Sequence, residues 1–316
     1  MGSLEILTPG LLTTVQDLGR PGFQHWGISP SGAADSFSFR LGNRLVGNGP
    51  NRAALEMTLV GASIRFESDA IIALTGADFG FALDGRPIKL WMSHPVKAGQ
   101  ILSTGHVRSG CRSYLCIQNG IEVPLVFGSA STHLQSGLGG YQGRGLKKGD
   151  RIFFRDDGLS DPKLEIQANV SRSLIRKTIL RVTESIHTDL FSPANMRNFL
   201  NHKYLVTQHS NRLGLRLEGQ ALSKVPGVLT TGVCLGSIQI STSGQPVILF
   251  VEQQLTGGYP QIACVALADH PAIGQLLPGD HVSFRKVSRQ EAIDSFYAQE
   301  QILTSNLSYK KCAEYK

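Results

Sequence analysis

Charged residues make up only 17% of this chain and aromatic residues only 7%, yet 41% of it is hydrophobic. That balance excludes a disordered, self-repelling chain, which needs little apolar content and much charge. The five cysteines, Cys111, Cys116, Cys234, Cys264 and Cys312, contain no CxxC pair and are odd in number. A disulfide framework or a zinc ribbon is therefore not expected. Cys111 and Cys116 lie five residues apart on an extended run, which points them to opposite faces of a strand and prevents a shared metal. Buried, reduced thiols of a cytoplasmic protein are the expectation. No apolar run approaches the roughly 18 residues of a membrane span; Ala70 to Leu74 and Val247 to Val251 are the longest considered. No basic segment followed by an apolar one opens the chain, and Ile6 occupies the position where N-myristoylation needs Ser or Thr. A soluble, cytoplasmic protein without a membrane partner is predicted.

Several chemistries are missing as well. There is no Walker A sequence, no dinucleotide-binding glycine fingerprint, no serine nucleophile elbow and no H-E-x-x-H zinc helix. The nine histidines show no ligand spacing, so no metal site is expected. The net charge of +7 is spread along the chain, apart from Lys147-Lys148 and Lys310-Lys311. Scattered positive charge suits a solvated surface, an acidic partner chain or an anionic substrate better than nucleic acid.

What is abundant is glycine, 35 residues, set between many short apolar runs. Examples are Ala62 to Phe66, Ala70 to Leu74, Tyr114 to Ile117, Ile179 to Val182, Tyr204 to Val206, Val247 to Val251 and Val282 to Phe284. This pattern predicts a mainly β fold built from barrels or sandwiches. A turn motif recurs three times ahead of a strand: Val96-Lys97-Ala98-Gly99-Gln100, Leu146-Lys147-Lys148-Gly149-Asp150 and Leu276-Leu277-Pro278-Gly279-Asp280. Repetition implies that a barrel-forming module occurs more than once. The expected domains are residues 1–155 and 178–300, each a β-barrel, with a polar linker at 156–177 and a tail at 301–316. A few short helices cover them: one capped by Ser31 or Gly32 and stopped by Gly47, one opened by Ser192-Pro193, and one opened by a Ser288–Glu291 capping box. In the last, Ala292, Ile293 and Phe296 form the expected apolar face.

Polar residues and special-backbone residues crowd into three turns. The first holds Gln16, Asp17 and Arg20, with Asp35 nearby; the second is Gln208 to Gly214, with Asn211 and Arg212; the third combines Ser243-Gly244-Gln245-Pro246 with Thr256-Gly257-Gly258-Tyr259-Pro260. An arginine fork surrounded by amides is a competent site for a carboxylate or phosphate. Local roles compete for the same residues: Asp35 at a helix N-terminus, Asp17 paired with Arg20, Gly257-Gly258 as a plain hairpin. Three such clusters in one chain point to a shared cavity. The segment Gly137 to Gly145, beside Arg144, Lys147 and Lys148, is the nearest approach to a phosphate cradle. A wide hairpin before a strand is the preferred reading of it.

Thr13 to Gly22, Gly27 to Asp35, Asn43 to Asn48, Ala54-Leu55-Glu56, Leu74 to Ala77, Arg112 to Leu115, Ser210 to Gly214, Gly244 to Pro246 and Thr256 to Pro260 occur in the order found in one family. Through them the chain resembles the family of 5-oxoprolinase C subunits, also called allophanate hydrolase subunit 2-like and related to biotin-dependent carboxyltransferases. The resemblance runs from about Leu4 to Phe296. It implies two cyclophilin-like β-barrel units. It also implies one component of a hydrolase complex with a B subunit (itself cyclophilin-like) and an A subunit. That complex uses ATP to open the cyclic amide of 5-oxo-L-proline to L-glutamate. On the matching motifs Arg20 and Arg212 are candidates for holding anionic oxygens, and Asp17 and Asp35 for steering a proton or water. Gln16, Asn211, Gln245, Gly258 and Tyr259 are candidates for contacting the amide. Glu56 is a candidate substrate contact or a structural acid held by an arginine. The family also includes chains linked to relief of a sporulation histidine-kinase inhibitor, which would make this one a binding module. A related module occurs in urea carboxylases, but no biotin-bearing Met-Lys-Met segment is present here.

Overall fold

A computed structural model describes residues 1–105, 107–160, 164, 177–223 and 227–304. Most of the expected linker and tail, and Cys312, lie outside the described residues. The described chain divides into two compact units, residues 1–20 with 31–164 and residues 21–30 with 177–304.

The first unit contains β1 (Gly2–Thr8), β2 (Leu12–Gln16), β3 (Ala54–Thr58), β4 (Ser63–Phe66), β5 (Ala70–Asp78), β6 (Ala82–Leu83), β7 (Arg86–Pro87), β8 (Ser93–Val96), β9 (Ile101–Ser103), β10 (Ser109–Ile117), β11 (Ile121–Glu122) and β12 (Arg151–Phe154). They form a seven-stranded sheet, β11-β12-β1-β4-β9-β6-β7, and a five-stranded sheet, β2-β3-β10-β5-β8. Leu4, Ile6, Phe66 and Phe154 of the first sheet share one core with Val15, Leu55, Ile72 and Leu115 of the second. Strand β1 alternates buried and half-buried residues, whereas β5 and β10 are buried almost throughout. The outer face of β5 and β10 is covered by α1 (Ser36–Leu45), which explains why those two strands are buried on both faces. Asp35 caps this helix, accepting from the Ser38 amide at 2.9 Å. The cap therefore lies beyond the expected Ser31 or Gly32, because both take positive φ values of 56° and 96° that cannot lead directly into a right-handed turn.

The second unit contains β13 (Ile179–Thr183), β14 (Tyr204–Val206), β15 (Gly214–Glu218), β16 (Thr231–Gly232), β17 (Ser237–Ile240), β18 (Pro246–Leu249), β19 (Thr256–Gly257), β20 (Gln261–Val265) and β21 (His281–Lys286). Seven of them close a barrel in the order β13-β20-β17-β18-β15-β14-β21, and β13 pairs with β21 in parallel. Strands β16 and β19 pair separately as a two-stranded ribbon. Helix α2 (Pro193–Asn201) starts as expected, with Ser192 accepting from the Asn195 amide and Pro193 in the first turn. Its Phe199 stacks on Phe284 of β21 at 4.5 Å, next to Tyr204 of β14. A short α3 (His270–Ile273) precedes β21. Helix α4 (Arg289–Thr304) opens with the reciprocal box: Glu291 accepts from the Ser288 amide at 2.7 Å, and Ser288 Oγ accepts from the Glu291 amide at 3.1 Å. Ile293 departs from expectation and faces solvent, and Leu303 is the buried apolar residue of that helix. Two cysteines also depart from it. Cys111 and Cys116 are buried on β10, but Cys234, on the turn before β17, is exposed, and Cys264 is half-buried.

The three repeated turns have the same construction. Gly99, Gly149 and Gly279 take φ values of 91°, 86° and 97°. The following side chain folds back onto the turn: Gln100 Oε1, Asp150 Oδ2 and Asp280 Oδ2 accept from the amides of Lys97, Lys147 and Leu277 at 2.8, 2.7 and 2.8 Å. Each glycine amide then donates to a strand carbonyl, of Phe66, Ile6 and Val206 respectively, and each of those residues donates back to the carbonyl of Gln100, Asp150 or Asp280. The turn is thereby clipped to the strand beside the one it starts. Around Gly149 no atom lies within 4 Å of an added Cβ, so only backbone conformation resists substitution. Gly149→Ala is expected to cost about 1–2 kcal/mol and Gly149→Asn less, since Asn tolerates the left-handed region. Denaturant midpoints of the two variants, compared with wild type, check this.

Candidate functional site

In the first unit Gln16, Asp17 and Arg20 converge on the segment 126–132. Asp17 Oδ1 accepts from Ser129 Oγ at 2.7 Å, Ser131 Oγ at 2.6 Å and the Gly19 amide at 2.8 Å. Its Oδ2 accepts from the Ala130 amide at 2.7 Å. Arg20, 1% exposed, donates to the carbonyls of Ser131 and Val126. Gln16 donates to the Thr132 carbonyl and to Thr14 Oγ1, both at 3.1 Å. Asp17 and Arg20 thus reach one segment through different atoms.

Asp35 and Glu56 form a second buried group. Glu56 Oε2 accepts from the Ala34 amide and from the Tyr114 hydroxyl, both at 2.8 Å, and Oε1 lies 3.7 Å from Arg112 Nε. The Tyr114 oxygen in turn accepts from the Asp35 amide at 2.7 Å. Burial, with the Glu56 charge beside it, holds the Tyr114 phenol well above its ordinary range, so it stays protonated and donates. Asp35 itself accepts from both the amide and the hydroxyl of Ser38. The group ties the start of α1 to β3 and β10.

The glycine-rich segment is closely packed on its neighbours at three of its glycines. A Cβ on Gly139 would lie 2.2 Å from the Ser131 carbonyl oxygen, one on Gly140 1.9 Å from Thr132 Oγ1, and one on Gly143 1.9 Å from the Gly137 carbonyl oxygen. These glycines let the segment pack against Ser131, Thr132 and itself. Arg144 is held by Asp150 through two bonds, of 2.6 and 2.9 Å, and stacks 5.2 Å above the Tyr141 ring. Gly139, Gly140 and Gly143 are thereby taken up by packing and Arg144 by Asp150, whereas Gly137, Lys147 and Lys148 are open to solvent.

In the second unit the expected residues separate. Arg212 is buried against Glu252, with Nε to Oε1 at 2.5 Å. Asn211 Oδ1 accepts from the amides of Leu213 and Gly214, closing its own turn. Gln245 bonds both the amide and the carbonyl of Gly219, at 2.9 and 3.1 Å. An open cavity of about 660 Å³ is lined by Asn211 with Gln208, His209, Ser210 and Arg216. A second, of about 340 Å³, is lined by Gly258 and Tyr259 with Ile240, Ser241, Thr242 and Pro260. Of these two cavities, Asn211 lines one, Gly258 and Tyr259 the other, and neither Arg212 nor Gln245 lines either. Sequence reasoning missed Arg216, Ser241 and Thr242. The alternation along β15, where Arg216 falls between buried Leu215 and Leu217, marks Arg216 as outward-facing. Among the described residues no cluster of His, Cys, Asp or Glu is built for a metal ion, and no helix is long and apolar enough to cross a membrane.

The bonds around Asp17 make it a support of the backbone. In Asp17→Asn the new amide must face either the Ala130 or the Gly19 amide, donor against donor. The expected cost is about 2–3 kcal/mol, read from equilibrium unfolding of the chain alone, without partners or substrate. An unchanged stability would contradict this role.

Residues 26–286 match the family model for the carboxyltransferase domain, subdomain A and B. The chain is 39% identical over 292 residues to the C subunit of 5-oxoprolinase from Escherichia coli K12, covering 92% of this chain and 93% of that protein. It is 36% identical over 310 residues to the urea amidolyase of Saccharomyces cerevisiae, where the match covers 92% of this chain but 17% of the relative. In three dimensions it is similar to the Kluyveromyces lactis urea carboxylase, with a TM-score of 0.90 and 34% identity over 99% of this chain and 30% of that one. The two-unit β architecture and the match across nearly its whole length place this chain in the carboxyltransferase domain family, subdomains A and B.

Proposed function

We propose that this chain is the C subunit of an ATP-dependent 5-oxoprolinase complex that hydrolyses 5-oxo-L-proline to L-glutamate together with the A and B subunits. The observation that carries the reading is the end-to-end likeness to a protein of that name, spanning 93% of its length. The reaction adds one water across the ring amide: the C–N bond breaks, hydroxide joins the carbonyl carbon, and the nitrogen gains a proton. Activity in this reading belongs to the assembled cytoplasmic complex.

The 340 Å³ cavity is the proposed seat of the substrate ring. Ile240 and Pro260 offer an apolar wall for the ring methylenes, and Thr242 and Tyr259 offer hydroxyls to the amide. Asp17, Arg20, Asp35, Glu56 and Arg212 act through the backbone they hold and are positioning residues. Gln16, Asn211 and Gln245 serve likewise through the turns they close. ATP is a cofactor of the complex; the glycine-rich segment here is already filled by its own packing, and no phosphoryl step is placed on this chain.

A second reading, a part in urea carboxylation, is favoured by the TM-score of 0.90 to the Kluyveromyces lactis urea carboxylase. Reconstitution with the A and B subunits separates the two: ATP-dependent loss of 5-oxoproline is expected, and urea-dependent ATP hydrolysis in its place would overturn the first reading. An added Cβ on Gly258 lies 3.6 Å from Thr230 Oγ1 and 3.7 Å from the Val228 carbonyl oxygen, ordinary contacts, so the fold accommodates a larger side chain at this lining position. Gly258→Val is expected to raise KM for 5-oxoproline at least about tenfold with unfolding unchanged. Tyr259→Phe, losing one hydrogen bond, is expected to cost about 3–10-fold in kcat/KM. Steady-state kinetics of the reconstituted complex reads both, and wild-type values would remove the ring from this cavity.

A further inference from the structure

Cys234 and Cys264 are the exception among the described cysteines, because their sulfurs lie 4.0 Å apart and both reach solvent. Cys234 opens the tight turn into β17: its carbonyl accepts from the Ser237 amide at 3.1 Å, with Gly236 at φ 85°. Cys264 lies on β20 directly across from Ser237. A bonded pair has sulfurs about 2.05 Å apart, so closure requires an approach of about 2 Å. One partner is on a turn outside the barrel strands, and that is where the adjustment can be taken up.

We propose that Cys234 and Cys264 are a reversible thiol–disulfide site, oxidised by a peroxide-class oxidant. Cys234 is the attacking sulfur, since it is the more exposed of the two. The Cys264 thiol and the Ser237 hydroxyl, 3.3 Å away, both stabilise its thiolate and bring its pKa down to about 6. Cys111 and Cys116 are buried on β10, and burial holds the Cys116 thiol far above its usual range. In the first step the Cys234 thiolate attacks one peroxide oxygen, the O–O bond breaks, and the departing hydroxide takes a proton to become water. Cys234 is left as a sulfenic acid. In the second step Cys264 attacks that sulfur, the S–O bond breaks, the S–S bond forms, and water leaves with the Cys264 proton. Two thiols are oxidised and one peroxide is reduced to two waters.

The position of the pair gives the bond a consequence. The Val233 amide donates to the Leu255 carbonyl, and β16 pairs with β19, so Cys234 lies two residues beyond one strand of that ribbon. Cys264 lies on the strand that follows Gly258 and Tyr259. The disulfide would therefore tie together the two flanks of the segment that lines the smaller cavity. This inference rests on the two sulfurs and holds whatever reaction the cavity serves.

The test uses the reduced full chain, treated with one equivalent of hydrogen peroxide, followed by thiol titration and peptide mapping by mass spectrometry. Two thiols should be lost, a peptide pair linked through Cys234 and Cys264 should appear, and dithiothreitol should restore both. In the Cys264→Ser chain the sulfenic acid should persist, and dimedone should label Cys234 several-fold more than in wild type. Wild-type protein in which Cys234 proceeds to sulfinic acid, or in which the linked peptide involves Cys312 instead, would overturn the proposal.

Discussion

Removing a carboxylate from water costs several kcal/mol unless protein donors replace its hydration, and Asp17 is supplied with four. The rest of the first unit depends on that exchange. Strand β2 is the edge of the five-stranded sheet, and an edge exposes unpaired backbone groups. Among the described residues no further strand covers it. The Thr132 amide and hydroxyl both donate to the Val15 carbonyl at 2.9 Å, and the Leu146 amide donates to Thr13 at 2.8 Å. Asp17 and Arg20 bind the Ser129–Ser131 stretch that starts this cover, and the close approach of Gly139 and Gly140 lets the cover continue. One buried charge therefore determines how a sheet edge is closed and why a nearby segment must be rich in glycine.

The features legible in the sequence were those in which a local rule leaves one solution. The Ser192-Pro193 start and the Ser288–Glu291 box appear where composition put them, because both satisfy helix amides within a single turn. The three glycine turns were legible as a repeat, and the repeated bonding of Gln100, Asp150 and Asp280 explains why a polar residue follows each glycine. The start of α1 was less legible. Ser31, Gly32 and Asp35 are all good capping types, and the choice among them depends on Ser31 being drawn to the Thr132 carbonyl, a contact 101 positions away. Ile293 was misplaced for a similar reason, since spacing along α4 cannot say how much of the helix has something to pack on.

The site residues show the harder limit. Arginine with carboxylates and amides at a turn is what an anion site needs, and it is also what a buried turn needs. Arg212 illustrates the overlap. Its guanidinium is bound to Glu252, and the Glu252 amide donates to the Arg212 carbonyl at 2.9 Å, so side chain and backbone lock the same two segments together. Removing Arg212 would strand the buried Glu252 carboxylate, a cost of about 3–5 kcal/mol. Residue type alone does not reveal whether the partner is protein or ligand. Burial does, and burial is a property of the folded chain.

The smaller cavity of the second unit has a chemical asymmetry that bears on what it can hold. Among the described residues its walls are Ser223, Gly227, Ile240, Ser241, Thr242, Gly244, Gly258, Tyr259 and Pro260, and none of these carries a charged side chain. Such a surface suits a neutral amide and its methylenes, yet the proposed substrate also carries a carboxylate, which binds best to a fixed cation. Within this reading the cation has to come from beyond those lining residues. A wall that grips only the neutral end of a small acid cannot hold it tightly alone, because a few hydroxyl bonds at about 0.5–1.5 kcal/mol each barely offset the entropy of capture. The chemistry of the described wall thus accounts for the neutral end of the molecule and leaves its carboxylate to a cation outside that wall.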